Sequence, residues 1–311
     1  MGFDVEAMRT AVARHGRVAR VVVAAVAGSV PREVGAEMLV WDGGQSGTIG
    51  GGALEFEAAR LAFTRAGATR HALGPELGQC CGGAVTLWTE RVDAKTLTLA
   101  QETDVVARGP GDMPLSVRSV LDTARAQGVR PATALIDGWM VEPVAQPSRK
   151  IWIWGAGHVG RALVEVLHPL TTLAITWLDT GPDRFPSRIP PEITPLWAED
   201  LPRLAAHAPQ DAEHLILTYS HELDLALCHA LLQNGFAEAG VIGSDTKWAR
   251  FRNRLRALGH TDQAITRITC PIGQKHLGKH PQAIAIGVAS DILSQATTTT
   301  RELPWMTSCS A

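Results

Sequence analysis

The six residues Gly155-Ala156-Gly157-His158-Val159-Gly160 constrain this chain more than any other stretch. They follow the apolar run 151–154 and open the helical pattern 159–167, and Asp179 closes the next apolar run, 24 positions beyond Gly155. Between a strand and a helix the three glycines have different work: Gly155 makes the tight turn, Gly157 lets a pyrophosphate approach the backbone, and Gly160 lets the helix pack on the strand. Asp179 stands where an acidic residue accepts from a ribose hydroxyl. The same glycines would also suit a chain that merely packs a helix on a strand, because a fold does not establish a ligand.

From residue 149 onward, strand and helix patterns alternate. Strands are expected at 151–154, 174–178, 214–217 and 241–243, with helices at 159–167, 201–206, 223–234 and 245–258. That rhythm predicts an α/β fold, here a Rossmann-type parallel-sheet domain with helices on both faces over 149–295, followed by a flexible tail, 296–311. The first 146 residues read differently. Helices at 4–15, 53–61, 96–109 and 116–127 are interspersed with strands at 18–26, 38–41, 69–73, 84–89, 131–137 and 139–143, an N-terminal α+β domain. Two domains also suit 311 residues, and the polar, Pro-containing stretch 144–150 is the expected linker.

A formal charge of −2 supplies no positive field for a phosphate backbone or an anionic membrane, so nucleic acid and membrane are not expected partners. No apolar run approaches the roughly 20 residues that span a bilayer, and no secretory leader pattern opens the chain. Five cysteines, two of them adjacent, do not form a secreted disulfide framework. A reducing, cytoplasmic setting is the expectation.

Four further features bear chemistry. Gly50, Gly51 and Gly52 precede a helix, where backbone N–H groups can approach an anion. Cys80 and Cys81 lie among Gly78, Gly82 and Gly83, so their sulfurs are expected on a loop; thiolates suit molybdenum, copper, zinc or sulfur transfer, although a structural loop has the same composition. No second Cys or His pair has zinc spacing. His221 and Asp224 follow the third strand of the second domain at the end where open α/β sheets bind ligands; helix capping explains them equally well. Lys247, Arg250, Arg252, Arg254 and Arg256 spread over several faces of one helix, as a solvated surface does, while any one arginine could meet an anion.

Together, Gly28-Ser29-Val30-Pro31-Arg32, the 47–55 glycine-rich stretch, Gly78-Gln79-Cys80-Cys81-Gly82-Gly83 and the 155–160 fingerprint resemble the XdhC/CoxI family, accessory proteins of xanthine dehydrogenase and related molybdenum hydroxylases. The resemblance continues through Gly240-Val241-Ile242-Gly243-Ser244 and Cys270-Pro271-Ile272-Gly273, so it covers nearly the whole chain. It implies a protein that is not itself an enzyme. Such a protein binds the molybdenum cofactor (molybdopterin), shields it while a cysteine desulfurase installs its terminal sulfur, and passes it to the molybdenum subunit of apo-xanthine dehydrogenase. Cys80 and Cys81 would be the metal ligands; Gly50, Gly51, Gly52, Gly155, Gly157, Gly160, Asp179 and His221 would be the cofactor contacts, with a dinucleotide as the other candidate for the Rossmann site. A homodimer suits a protein of this size and type. Where the family has a compact acidic–arginine turn after Asp179, this chain reads Thr180-Gly181-Pro182-Asp183-Arg184-Phe185. The alternative is an NAD(P)-dependent oxidoreductase with pyrophosphate on 155–160 and His221 as acid/base, which leaves the N-terminal domain without a role.

Overall fold

The computed structural model describes residues 2–74 and 82–299. The chain divides into two compact units, Met1–Gln146 and Pro147–Ala311.

In the first unit, α1 (Val5–His15) begins where the Asp4 carboxylate accepts from the Ala7 amide at 2.9 Å, and it buries Val5, Met8 and Ala11. The valine-rich β1 (Val18–Ala27) is followed by β2 (Glu37–Trp41), β3 (Gly44–Gly47), α2 (Gly52–Leu61), β4 (Gly67–Ala72) and β5 (Ala84–Arg91). These strands form an antiparallel five-stranded sheet in the order β3-β2-β1-β5-β4. Val21, Val23, Met38, Ile49, Leu54 and Leu87 fill one core cluster, and Phe3, Met8, Leu39 and Val106 another. After α3 (Ala94–Glu102) come β6 (Val105–Arg108), α4 (Leu115–Gln127), β7 (Ala134–Ile136) and β8 (Trp139–Pro143). β6-β8-β7 is a second antiparallel sheet, with Val117 of α4 packed on Trp139 and Val141. The helix expected over 96–109 therefore ends early. Val105 and Val106 are β-branched, and the segment Val105–Arg108 pairs with β8 instead.

The two sheets share one buried ionic network. Arg20 of β1 is fully buried; its guanidinium donates to Glu37 of β2 (2.5 Å), Glu90 of β5 (3.0 Å) and, bidentately, Glu142 of β8 (2.8 and 2.8 Å). Arg108 of β6 adds bonds to Glu90 and Glu142. Burial works to raise the Glu142 carboxyl, but Arg20 and Arg108 outweigh it and hold it at about 2. Burial pushes the neighbouring Glu37 the other way, upward, against Arg20.

In the second unit, β9 (Arg149–Trp154), α5 (His158–Leu167), β10 (Leu173–Asp179), β11 (Thr194–Trp197), α6 (Leu201–Ala205), β12 (Ala212–Ile216), α7 (His221–Asn234), β13 (Glu238–Val241), α8 (Asp245–Ala257), α9 (Asp262–Ile265), β14 (Ile268–Thr269) and α10 (Pro281–Thr299) follow in turn. The six strands form a parallel sheet in the order β11-β10-β9-β12-β13-β14, the expected Rossmann-type architecture. Both faces are covered: Ile151 and Ile153 pack with Leu163, Leu167 and Val288, while Trp152 and Trp154 pack with Leu231, Phe251 and Leu255. Three elements carry weak sequence signals. Pro195 lies within β11, which tolerates it as an edge strand; β14 is two residues long; and α10 opens on Pro281 with Ala285, Val288, Ala289 and Ile292 as its buried stripe. The flexible tail expected over 296–311 is helical in its first four residues, because α10 continues to Thr299; its remainder, 300–311, lies outside the described residues.

Replacing Glu142 by Gln leaves Arg20 buried against a neutral amide and is expected to cost about 3 kcal/mol at pH 7. Because the folded carboxyl sits below its unfolded value, its contribution is complete above the ordinary carboxylate range and is lost as pH falls toward about 2. Denaturant unfolding of wild type and Glu142→Gln across pH 2–7 should show the two curves converging in acid.

Candidate functional site: the carboxyl edge of the parallel sheet

The chain runs outward from β9 through β10 to β11 and returns to β12 on the other side of β9. The loops after β9 and β12 therefore diverge, and the crevice between them is where open α/β sheets bind ligands. Four loops meet at this edge.

The loop after β9 is the glycine fingerprint. Gly155 has φ +123°, and a Cβ there would lie 2.5 Å from the Leu217 carbonyl oxygen. A Cβ at Gly160 would lie 2.0 Å from the Gly155 carbonyl oxygen, so this glycine sets how closely α5 crosses β9. Gly157 is different. Its φ of −73° and ψ of −172° are extended backbone that any residue adopts, and an added Cβ would meet nothing within 4 Å. Among the described residues nothing requires a glycine at 157. Gly157 is also the N-cap of α5, which has no side-chain cap. By contrast, Ser220 caps α7 by accepting from Leu223 N (3.3 Å), and Ser244 caps α8 by accepting from Lys247 N (3.2 Å).

Asp179 ends β10. It is 1% exposed, and its Oδ2 accepts from Ala156 N at 2.5 Å while Oδ1 accepts from Thr180 N at 2.7 Å and Thr180 Oγ1 at 3.2 Å. Asp224, in the first turn of α7, is likewise buried. Its Oδ1 accepts from Thr218 N (3.0 Å) and Thr218 Oγ1 (2.7 Å), and its Oδ2 from Lys247 Nζ (2.6 Å), which also donates to the Ile242 carbonyl (2.9 Å). This set ties the loops after β12 and β13 together. His221 begins α7, exposed to solvent, with no side-chain hydrogen bond among the described residues. Lys247, Thr218, Arg184 and Tyr219 belong to the same edge. Their residue types gave no separate signal, since a Thr, a Tyr or one basic residue of a helix takes its meaning from the fold.

In the first unit, the Gly50–Gly52 loop already holds an anion of its own. Glu55 Oε2 accepts from Thr48 Oγ1 (2.5 Å), Ile49 N (3.1 Å) and Gly51 N (3.0 Å), while Gly50 N donates to Thr48 Oγ1 (3.1 Å). Cys80 and Cys81 lie outside the described residues. Of the described cysteines, Cys228 is buried and its thiol is pushed far up by burial, and burial pushes Cys270 up to about 11, so neither is a thiolate at neutral pH. Among the described residues no group of three or more His, Cys, Asp or Glu is placed to hold a metal ion, and no helix is long and apolar enough to cross a membrane.

Residues 151–292 match the family model described as the XdhC Rossmann domain, and residues 11–73 match that of the XdhC and CoxI family. The chain belongs to the XdhC family. The uncharacterized protein YqeB of Escherichia coli K12 is 29% identical over 140 residues, 45% of this chain and 26% of that protein, so the match spans about a quarter of the relative. A solved structure described as a xanthine dehydrogenase from Bacillus halodurans has the same fold over 96% of this chain and 97% of its own, with a TM-score of 0.71 at 18% identity.

The glycines separate by experiment. Gly160→Ala is expected to destabilise the chain by about 3 kcal/mol through overpacking against Gly155, whereas Gly157→Ala should stay within about 1 kcal/mol of wild type. Chemical unfolding of both variants checks this; equal losses would give Gly157 an internal role.

Proposed function

We propose that this protein binds the molybdenum cofactor, protects it while its terminal sulfur is installed, and delivers it into apo-xanthine dehydrogenase. Family membership supports the accessory role, and the observation that carries ligand binding is Gly157, a glycine with no demand from its own chain beside an uncapped helix N-terminus. A molybdopterin ends in a phosphate, and the first amides of α5 suit that group. Asp224, Thr218 and Lys247 hold the opposite wall of the crevice in place. The Gly50–Gly52 loop fits the phosphate less well, because Glu55 occupies the Ile49 and Gly51 amides. When bound, the cofactor supplies a metal centre whose soft terminal sulfur must be kept from water and oxidant until transfer. Cys80 and Cys81 are the candidate soft ligands. A cysteine desulfurase and the apo-hydroxylase are the partners this role requires.

The test is anaerobic equilibrium binding of freshly released molybdenum cofactor to wild type, Gly157→Ala and the Cys80→Ser, Cys81→Ser double variant. Saturable wild-type binding that weakens about tenfold in Gly157→Ala supports the proposal and locates the phosphate. Loss in the double variant adds the metal contact. No saturable binding by wild type overturns it.

A further inference from the structure

The residues flanking Gly157 also say which ligand chemistry the crevice takes. A Rossmann site for a dinucleotide reads the ribose diol with an exposed carboxylate at the end of the second strand. Asp179 has the right position and the wrong environment. It is 1% exposed, both oxygens accept from the Ala156 and Thr180 amides, and Arg184 Nε stands 3.5 Å from Oδ1. At 1% exposure, the carboxylate meets a sugar hydroxyl only after the loop around it opens.

Arg184 has the opposite character. It lies in the turn after β10, its side chain is 40% exposed, and its guanidinium carbon sits 4.6 Å from the centroid of the Tyr219 ring, which follows β12. β9 lies between β10 and β12 in the sheet, so the Arg184–Tyr219 contact bridges the turns on either side of the strand that leads into the Gly155–Gly160 loop. Arg161 fixes its root by donating to the Arg184 carbonyl (2.9 Å) and, through Nε, to the Ala156 carbonyl (3.0 Å). The two terminal guanidinium nitrogens carry no hydrogen bond among the described residues. Tyr219 is 67% exposed and offers a ring face beside them.

We propose that this crevice takes a flat heteroaromatic ligand bearing a phosphate or diphosphate, held by Arg184, the first amides of α5 and Tyr219, with no contact to a ribose diol. Asp179 positions the loop and the arginine and does not read a sugar. Guanidinium N–H groups suit phosphate oxygens, and the ring face suits a planar base or pterin. The inference rests on the reading that this crevice is the ligand site, and it names the class of ligand that site accepts.

The experiment is calorimetric binding of adenosine diphosphate and of its 2′,3′-dideoxy analogue to the full chain, to Arg184→Met and to Tyr219→Ala, with thermal unfolding confirming that the variants fold. The expected result is saturable binding by wild type, equal within about twofold for the two probes, and about tenfold weaker in Arg184→Met. A loss of about tenfold on removing the diol, undiminished binding in Arg184→Met, or no binding of either probe overturns the inference. Failure of the cofactor-delivery reading looks different: both diphosphates bind as described while the molybdenum cofactor does not. Conversely, cofactor binding with neither diphosphate bound leaves delivery standing and removes this site.

Discussion

Two buried carboxylates, Asp179 and Asp224, hold together the carboxyl edge of the parallel sheet in the second unit. A parallel sheet brings all its strand-to-helix turns to one side, and each turn leaves amides without a ladder partner. Asp179 takes the amides of Ala156 and Thr180, and so joins the turns after β9 and β10. Asp224 takes Thr218 and the Lys247 ammonium, and so joins the turns after β12 and β13. A buried carboxylate without such partners would be costly. Satisfied as these are, they tie the four turns together in pairs, while the start of α5 has no side-chain cap.

The contrast with the first unit sharpens this. Its glycine-rich loop has the same ingredients, three glycines and a helix N-terminus, yet the anion there is the chain's own Glu55. Burial tends to raise that carboxyl, but the Thr48 hydroxyl and the Gly51 and Ile49 amides outweigh it and hold it below its ordinary value. Both glycine loops receive an internal carboxylate, but Glu55 sits on the Gly51 amide at the N-cap of its own helix, whereas Asp179 takes the Ala156 amide and leaves the Gly157 N-cap of α5 without a side-chain cap.

That difference marks how far the sequence could be read. Four of the six strands of the second unit, the four helices that follow them or lie between them, and the strand–loop–helix setting of Gly155–Gly160 followed from periodicity and spacing, because a parallel sheet buried on both faces writes itself as apolar runs between helices; β11, β14, α9 and α10 did not. The short strand β6 was lost inside a longer helical reading because its partner β8 lies far along the chain, and pairing rather than local propensity decides such a segment. Arg20 was invisible as a core residue: nothing local distinguishes it from a surface arginine, and only the convergence of Glu37, Glu90 and Glu142 from three other strands permits its burial. Gly157 was named from its motif, but that it alone of the fingerprint glycines lacks an internal reason is a fact of three dimensions.

The longer turn after Asp179 gains its meaning in the same way. Measured against a compact acidic–arginine turn, Thr180-Gly181-Pro182-Asp183-Arg184-Phe185 looks like slack. In the fold it is anchored: the Phe185 ring meets Trp177 edge-on, 5.2 Å between centroids, and Trp177 Nε1 donates to the Gly155 carbonyl at 3.0 Å. The residue after Arg184 is thus fastened to the same carbonyl whose closeness to α5 forces Gly160 to be a glycine. Arginine turn, fingerprint loop and helix are thus joined through Trp177, with Arg184 held between Asp179 at the end of β10, 3.5 Å from Nε, and the Tyr219 ring after β12.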